Sequence, residues 1–264
     1  MGAVVNDPLL GRPLRVGTLE ELGENTIDKL KEEIKAGHKQ EALDLAEYLL
    51  WEGADLHDTY TDWVYADLDW IARNYGEEEI PKVLRHVKKI LDTKAIQAAK
   101  AKKPEGKVID TPFAKVQRMT EVQRAHRSGR LERGDIKVWE EPDRFVMEFD
   151  PCGGGGRMAR GPLDKSGSRL EAPYNLGTTS KPYPWSWSKA NVPYYCLHCC
   201  IWREQMAIEA KGYPLRVTEC PVGDWNKPCH WYIYKSPELI PAEYFERVGY
   251  KKDTSRFKTK TPKQ

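Results

Sequence analysis

All six cysteines of the chain lie between Cys152 and Cys229. Three of them fall within residues 196–200, which read Cys-Leu-His-Cys-Cys. Thiolates and imidazoles serve proteins as nucleophiles, proton carriers and metal ligands. The spacing therefore predicts one site, or one domain, that is built for thiol or metal chemistry.

The geometry of residues 196–200 depends on whether they are helical. On a regular helix Cys196, Cys199 and Cys200 stand at i, i+3 and i+4, and they share one face near the helix N-terminus, where thiolates are favoured. At 100° per residue, His198 would point roughly 200° away from Cys196. A regular helix thus predicts three thiols together and His198 apart, whereas an irregular start to the helix would bring His198 in.

Metal binding is the first chemistry that this cluster suggests. Zinc takes cysteine and histidine ligands, and thiolates also hold iron–sulfur clusters. We expect the metal ligands to be Cys196, Cys199, Cys200 and Cys229, with zinc as the cofactor and an iron–sulfur cluster, or no cofactor, as the alternatives. The two separated Cys-x2-Cys pairs of structural zinc sites are missing. The thiols can also simply be buried as small apolar side chains.

A glycine-rich loop at residues 150–157 follows a predicted strand and reads Asp-Pro-Cys-Gly-Gly-Gly-Gly-Arg. Consecutive glycines let backbone N–H groups approach an anion, and an arginine can grip a carboxylate or phosphate. We therefore predict that Gly153, Gly154 and Arg157 bind substrate, and that Cys152 or Cys199 is the nucleophile if no metal is bound. A flexible linker is the alternative interpretation.

Two further groups complete the predicted site. Trp185, Trp187 and Tyr195 can wall a pocket for a planar ligand, or else anchor a loop on the core. Between two predicted strands, a turn brings Asp224 close to Cys229 and His230. We predict His198 or His230 as the catalytic base, with Asp224 orienting His230, although a strand histidine is commonly structural.

The elements that position these residues follow from apolar periodicity. Helical spacing predicts helices near 25–36, 39–52, 54–75, 81–103 and 111–128. The period changes to two over residues 136–149, which predicts a β-hairpin. A helix over 193–211, capped by Asn191 and ended by Gly212, and strands at 215–219 and 230–234 complete the chain.

This order of elements predicts an α+β fold, in which an N-terminal helical bundle region precedes a C-terminal antiparallel sheet with one cysteine-bearing helix. Four regions follow: an extended N-terminal arm over 1–24, a helical region over 25–103, a Cys/His-rich α+β domain over 111–245 and a basic tail over 246–264.

The composition limits the classes of binding partner that we expect. The 264 residues carry 42 Lys and Arg against 40 Asp and Glu, a net charge of +2, which favours neither a nucleic acid nor a membrane surface. The first residues lack the profile of a secretory signal, so we expect a cytoplasmic protein with reduced cysteines. The expected partner is a small-molecule substrate, and self-association through the N-terminal helices stays open.

Residues 190–235 resemble the L-2-amino-thiazoline-4-carboxylate hydrolase family. The shared features are Tyr195 and the cysteines up to Cys200, a helix, Arg-Val-Thr at 216–218 and Pro-Cys-His-Trp-Tyr at 228–232. The resemblance implies a small cytosolic α+β enzyme that hydrolyses a C–N or C–S bond of a small carboxylated heterocycle, with Cys199, Cys200 and Cys229 as site residues. The Cys152 loop, the doubled cysteine and the helical N-terminal half depart from the family pattern.

Together these features predict a hydrolase of a small anionic molecule, carboxylated and in one version heterocyclic, whose Cys/His cluster binds a metal or supplies a thiolate nucleophile. Two alternatives are an iron–sulfur redox protein and a non-enzymatic binding module stabilised by zinc.

Overall fold

The computed structural model describes residues 4–9, 11–101 and 111–257. The protein is α+β, as predicted, with helices toward the N-terminus and a four-stranded antiparallel sheet toward the C-terminus. The chain divides into two compact units, Met1–Tyr60 and Thr61–Gln264. Within the described residues, no helix has the length and apolar character needed to cross a membrane.

The first unit contains a hairpin and a set of helices. Its elements are β1 (Val4–Asp7), β2 (Arg12–Arg15), α1 (Leu19–Leu22), α2 (Thr26–Ala36) and α3 (Lys39–Glu52). The predicted extended arm is thus two paired strands and a helical turn, and Arg15 helps to hold them by donating to the carbonyl oxygens of Glu21 and Glu24. Asn25 caps α2, and Gly37 ends it with a φ of 81°.

The second unit holds the remaining elements and all six cysteines. Its helices before the sheet are α4 (Ala54–Tyr75), which starts just before the unit boundary, α5 (Ile80–Ala101) and α6 (Pro112–Arg124). The later elements are β3 (Lys137–Glu140), β4 (Arg144–Phe149), α7 (Gly155–Arg160), α8 (Leu197–Cys200), α9 (Met206–Lys211), β5 (Val217–Glu219), β6 (Cys229–Tyr234) and α10 (Glu243–Glu246).

The sheet has the strand order β3-β4-β6-β5, with every pair antiparallel. Since side chains alternate along a strand, Cys229 and Trp231 of β6 face the same side as Phe149 of β4. These side chains form an apolar cluster that includes Val116 of α6. The hairpin and both later strands are therefore close to where the sequence predicts them.

One continuous helical segment, residues 194–211, is called the cysteine helix below. It starts with a 3₁₀ turn (Tyr194–Cys196), continues as α8, contains a π-helical stretch (Ile201–Gln205) and ends as α9. Gly212 terminates it with a φ of 89°, as predicted. Asn191 is not its cap: the residue has a φ of 59°, and Pro193 precedes the first turn without a side-chain capping bond.

The predicted basic tail is folded as far as the structure describes it. The ring of Phe257 stacks on that of Phe245, with centroids 6.2 Å apart. Arg247 is largely buried and forms ion pairs with Glu204 and Glu219. Apolar and paired side chains thus keep residues 246–257 on the core, and residues 258–264 lie outside the described part of the chain.

Candidate active site

A cavity of about 620 Å³ lies in the second unit and is lined by α4, α5, α6, the glycine loop, the cysteine helix, β5 and β6. Five of the six cysteines reach it: Cys152, Cys196, Cys199, Cys220 and Cys229. The structure thus gathers the thiols at one cavity, as their spacing in the sequence suggests. A pocket of this size accommodates a drug-sized molecule.

Cys200 is the exception, and it separates from the other cysteines of the helix. Its Sγ lies 3.7 Å from the carbonyl oxygen of Pro184, in the apolar core. The helix is not regular here, because it starts with a 3₁₀ turn and continues into a π-helical stretch, so the shared face of a regular helix does not form. The expectation that a regular helix places three thiols in one site is therefore wrong for Cys200.

Cys199 has two cationic neighbours. Its Sγ lies 3.4 Å from Nε2 of His198, and Nη2 of Arg216 donates to it at 3.1 Å. Burial alone would raise the pKa of this thiol, but the charges of His198 and Arg216 outweigh burial and lower the pKa from 9.0 to about 6. Cys199 is therefore mostly thiolate at neutral pH, and it remains partly accessible.

The carbonyl group of Tyr195 fixes which nitrogen of His198 faces Cys199. Its Nδ1 lies 2.6 Å from the carbonyl oxygen of Tyr195. A carbonyl oxygen only accepts hydrogen bonds, so Nδ1 carries a proton and Nε2 is the nitrogen that faces the thiol. The rings of Tyr195 and Trp202 flank the imidazole, each with its centroid 5.1 Å away. The irregular, 3₁₀ start of the helix is thus accompanied by His198 joining Cys199.

Arg216 directly precedes β5, and only 5% of its surface is exposed to solvent. Its guanidinium carbon lies 3.1 Å from the ring centroid of Trp231, a cation–π contact. Nη2 serves Cys199, whereas Nε is buried without a hydrogen-bond partner. Burial lowers the pKa of Arg216. The thiolate is the anion that offsets the burial of this charge.

A buried carboxylate joins the cysteine helix to β5. Glu204, in the π-helical stretch, accepts from the backbone N–H of Thr218 and from Nε1 of Trp187, each at 2.8 Å, and pairs with Arg247. Burial raises the pKa of Glu204. Glu204 thus fixes the backbone of β5 two residues after Arg216. We interpret this contact, called the brace below, as what holds Arg216 against Cys199; π-helical turns like the one that carries Glu204 are frequent at functional sites.

Four other thiols have raised pKa values. Burial raises the pKa of Cys152 to about 11, although Sγ accepts from the backbone N–H of Gly156 at 3.1 Å. The pKa values of Cys200 and Cys229 are raised by burial, and that of Cys196 by its hydrogen bond with Cys220. Cys152 is therefore a protonated thiol in this structure, which does not suit the predicted nucleophile.

The glycine loop is required by packing. A Cβ added at Gly154 would lie 2.6 Å from Cε1 of Tyr195, and one added at Gly155 would collide with Sγ of Cys196. Both glycines are buried. They allow α7 to approach the start of the cysteine helix, which places Tyr195 and Cys196 at the cavity. Gly153 and Gly154 line the cavity, and their binding of substrate stays a prediction.

Arg157 is not available to a substrate in this structure. Its side chain is fully buried, it does not line the cavity, and Nη1 lies 3.1 Å from Oε2 of Glu132. Its Nε donates to the carbonyl oxygen of Gly153. The predicted anion-binding arginine therefore anchors the glycine loop, because an internal carboxylate occupies its guanidinium.

His230 and Asp224 do not meet as predicted. His230 lies opposite Glu148 in the β4–β6 register, and its Nε2 is 3.1 Å from Oε2 of that residue. Asp224 instead pairs with Lys227 at 3.5 Å. Neither His230 nor Asp224 lines the cavity. Strand alternation explains this: Cys229 faces the cavity, so its neighbour His230 faces the other side of the sheet.

The predicted aromatic wall is divided. Tyr195 and Trp187 line the cavity. Trp185 does not, and its ring stacks on Tyr183 with centroids 4.2 Å apart. Other indoles take its place at the cavity: Trp70, Trp202, Trp225 and Trp231.

The four predicted metal ligands do not form a ligand set. Cys196, Cys199 and Cys229 line the cavity, and Cys200 points elsewhere. Across residues 4–9, 11–101 and 111–257, no group of three or more His, Cys, Asp and Glu side chains is arranged to hold a metal ion.

Sequence reasoning did not assign a role to Arg216 or Glu204. Arg216 appears only within the Arg-Val-Thr element of the family resemblance, and Glu204 within the predicted helix. A charged residue on an otherwise apolar helix face was the available signal for Glu204, which is fully buried. No pattern links Arg216 to Cys199, because the contact joins two elements.

No family model, curated protein or solved structure matches the chain.

Proposed function

We propose that the protein is a hydrolase that cleaves a C–N or C–S bond of a small molecule, with the thiolate of Cys199 as nucleophile. The observation that carries the proposal is the position of this sulfur atom, 3.4 Å from Nε2 of His198 and 3.1 Å from Nη2 of Arg216 at the wall of a large cavity. A thiolate beside a histidine that a third group orients is the arrangement expected of cysteine-dependent acyl transfer.

In the first half of the proposed reaction, Sγ of Cys199 forms a bond to the electrophilic carbon of a carbonyl or amidine group. The electron pair of the double bond moves to its oxygen or nitrogen, near the cation of Arg216. The pair then returns, the C–N or C–S bond breaks, and the leaving atom takes the proton from Nε2 of His198.

In the second half, water attacks the carbon that is bound to Cys199. Nε2 of His198 takes a proton from that water, the bond between the carbon and Sγ breaks, and the thiolate is restored. One water is consumed per bond cleaved, and no oxidant or reductant is needed. Tyr195 keeps Nδ1 of His198 protonated throughout, so Nε2 performs both transfers.

The substrate class follows from the cation beside the sulfur. Arg216 is the cavity residue closest to the reacting thiolate that can bind a carboxylate or carbonyl oxygen. The resemblance to the L-2-amino-thiazoline-4-carboxylate hydrolase family, at residues that include Cys199, points to the same bond types. A carboxylated amide, thioester or thiazoline is therefore the expected substrate.

The decisive experiment is to trap the covalent intermediate. Incubation with a panel of carboxylated amides, thioesters and thiazolines, followed by acid quench and mass spectrometry, should find an acyl adduct on the peptide that contains Cys199. Cys199→Ala should show neither the adduct nor hydrolysis. Turnover that survives Cys199→Ala would disprove the proposal.

Metal analysis gives an independent check of the thiolate route. Purified protein that hydrolyses its substrate with far less than one metal ion per chain agrees with the proposal. Hydrolysis that requires one bound zinc per chain, and that a chelator abolishes, would show instead that the cysteines act as metal ligands.

A further inference from the structure

Two residues at the Cys199 end of the cavity each have a buried polar atom without a hydrogen-bond partner. These atoms are Nε of Arg216 and Oγ1 of Thr218, in residues that are 5% and 2% exposed. Both residues line the cavity, and their separation of two places them on one side of β5. Arg216 is also the cation that donates to Cys199, so this end of the cavity is suited to an anionic or carbonyl group.

Exposed apolar side chains surround much of the mouth of the cavity, beside the polar residues Asp67, Gln123 and His126. Val64 and Trp70 of α4, Val87 of α5 and Val122 of α6 all line it, and they are 43%, 55%, 38% and 58% exposed. Exposed apolar residues scattered singly are common on proteins, but here helices α4, α5 and α6 present them around one opening.

The apolar lining continues inward from the mouth to the reactive thiol. Leu68 of α4 and Leu84 of α5 line the same cavity and are each 3% exposed. They lie four residues after Val64 and three before Val87, so each helix contributes one stripe that runs from solvent to the core. Trp202 of the cysteine helix also lines the cavity, and its ring contacts that of His198.

We infer that the substrate of the proposed hydrolase is amphipathic. Its anionic or carbonyl head lies against Arg216 and Thr218 beside Cys199, and an aliphatic or aromatic arm lies along α4 and α5 toward the mouth. This inference rests on the proposed function for the reacting end and on the cavity lining for the arm. A head group alone would leave most of the 620 Å³ to water against apolar walls.

The test measures, by calorimetry, the reversible binding of butanoate, hexanoate and octanoate to the full-length Cys199→Ser variant. This variant cannot form the proposed covalent adduct, so binding is read apart from chemistry. A buried methylene strengthens binding by about fourfold, and we expect the dissociation constant of octanoate to be at least about tenfold below that of butanoate. Equal affinity across the series would overturn the apolar arm.

Two further variants locate the arm and the head. Val87→Asp should abolish the dependence on chain length, whereas Ile90→Asp, an exposed position of the same helix that does not line the cavity, should preserve it. Arg216→Met should remove the preference for octanoate over octanol. A chain-length effect that Val87→Asp leaves unchanged would place the ligand elsewhere and contradict the inference.

The two proposals fail separately. If the wild-type protein forms the Cys199 adduct but affinity does not depend on chain length, the hydrolase survives and the amphipathic substrate does not. If affinity rises with chain length but no adduct or turnover occurs, the cavity binds amphipathic acids and the hydrolase is wrong.

Discussion

Cys199 and Cys152 line the same cavity and are both partly accessible, yet their thiols differ by about five pKa units, at about 6 and about 11. Cys199 has His198 and Arg216 as neighbours, whereas Cys152 has the backbone N–H of Gly156. A backbone dipole does not compensate for the burial of a thiolate, but two cations do. Accessibility alone therefore does not identify the reactive cysteine.

The largest expected effect is a loss of thiol labelling when Cys199, and not Cys152, is replaced by serine. At pH 7 iodoacetamide should modify Cys199 in the wild type, and Cys199→Ser should lower the labelling of the protein at least about a hundredfold, because the pKa values of Cys152, Cys196, Cys200 and Cys229 are raised and Cys220 is buried. Peptide mass spectrometry gives the site. The matched variant Cys152→Ser should keep the Cys199 rate within about twofold, and a large loss there would reverse the assignment.

Replacing His198, the proposed base, should lower the rate of hydrolysis almost as strongly. His198→Asn keeps a side-chain N–H that can reach the carbonyl of Tyr195 but has no group in place of Nε2. Hydrolysis should fall about 10²- to 10⁴-fold, the usual contribution of a general acid–base. In the same variant, labelling of Cys199 at pH 8.5 would show that the thiol still reacts, so that the loss of hydrolysis is due to the missing proton transfer. Unchanged turnover would exclude His198 from proton transfer.

Arg216→Met tests the second cation through a pH profile. In the wild type the Cys199 labelling rate should rise with pH, with a midpoint of about 6, and level off above it, because only the thiolate reacts. Loss of the guanidinium should move the midpoint upward by one to two units, which lowers the rate at pH 6 roughly tenfold. Circular dichroism checks the fold, and a midpoint that stays at 6 would leave His198 as the whole cause.

Gly155→Ala tests whether the Cys152 side of the cavity is built for packing. The added methyl would meet Sγ of Cys196, so we expect a loss of about 1–3 kcal/mol in the free energy of unfolding, measured by urea titration. A matched Gly223→Ala variant has no atom within 4 Å of its added Cβ, although its φ of +89° adds backbone strain. Comparing the two separates the steric cost from the conformational one.

The smallest effect belongs to His230. Its partner Glu148 lies on the face of the sheet away from the cavity, so His230→Ala should leave the labelling rate and its pH midpoint unchanged. The half-exposed pair should contribute less than about 1 kcal/mol to stability. A shifted midpoint would mean that the two sides of the sheet communicate electrostatically.

Local patterns predicted most of the elements of the fold. Helical periodicity and the terminator Gly212 depend on residues close in sequence, and each has the predicted role in the structure. Alternation likewise indicated β4 and β6. The β1–β2 hairpin was missed although its pairing is local, whereas the partner of His230 was missed because Glu148 lies 82 residues away in the chain.

The sequence predicted which residues lie close together at the site, but it did not predict their chemical roles. Cys196, His198 and Cys199 are close because they share one helical turn, which the sequence states directly. Arg157, a plausible anion-binding residue from its glycine context, is neutralised by Glu132, which is 25 residues away in the chain. Such a pairing leaves no mark in the local sequence.

The sequence by itself determined the α+β class and the concentration of thiols in one part of the chain, because periodicity and spacing are local properties. Only the tertiary structure decided which thiol is ionised. That choice requires Arg216, 17 residues after Cys199, to be brought to its sulfur by the pairing of β5 and the brace of Glu204. The charge of a buried group is set by its neighbours in space, and folding selects them.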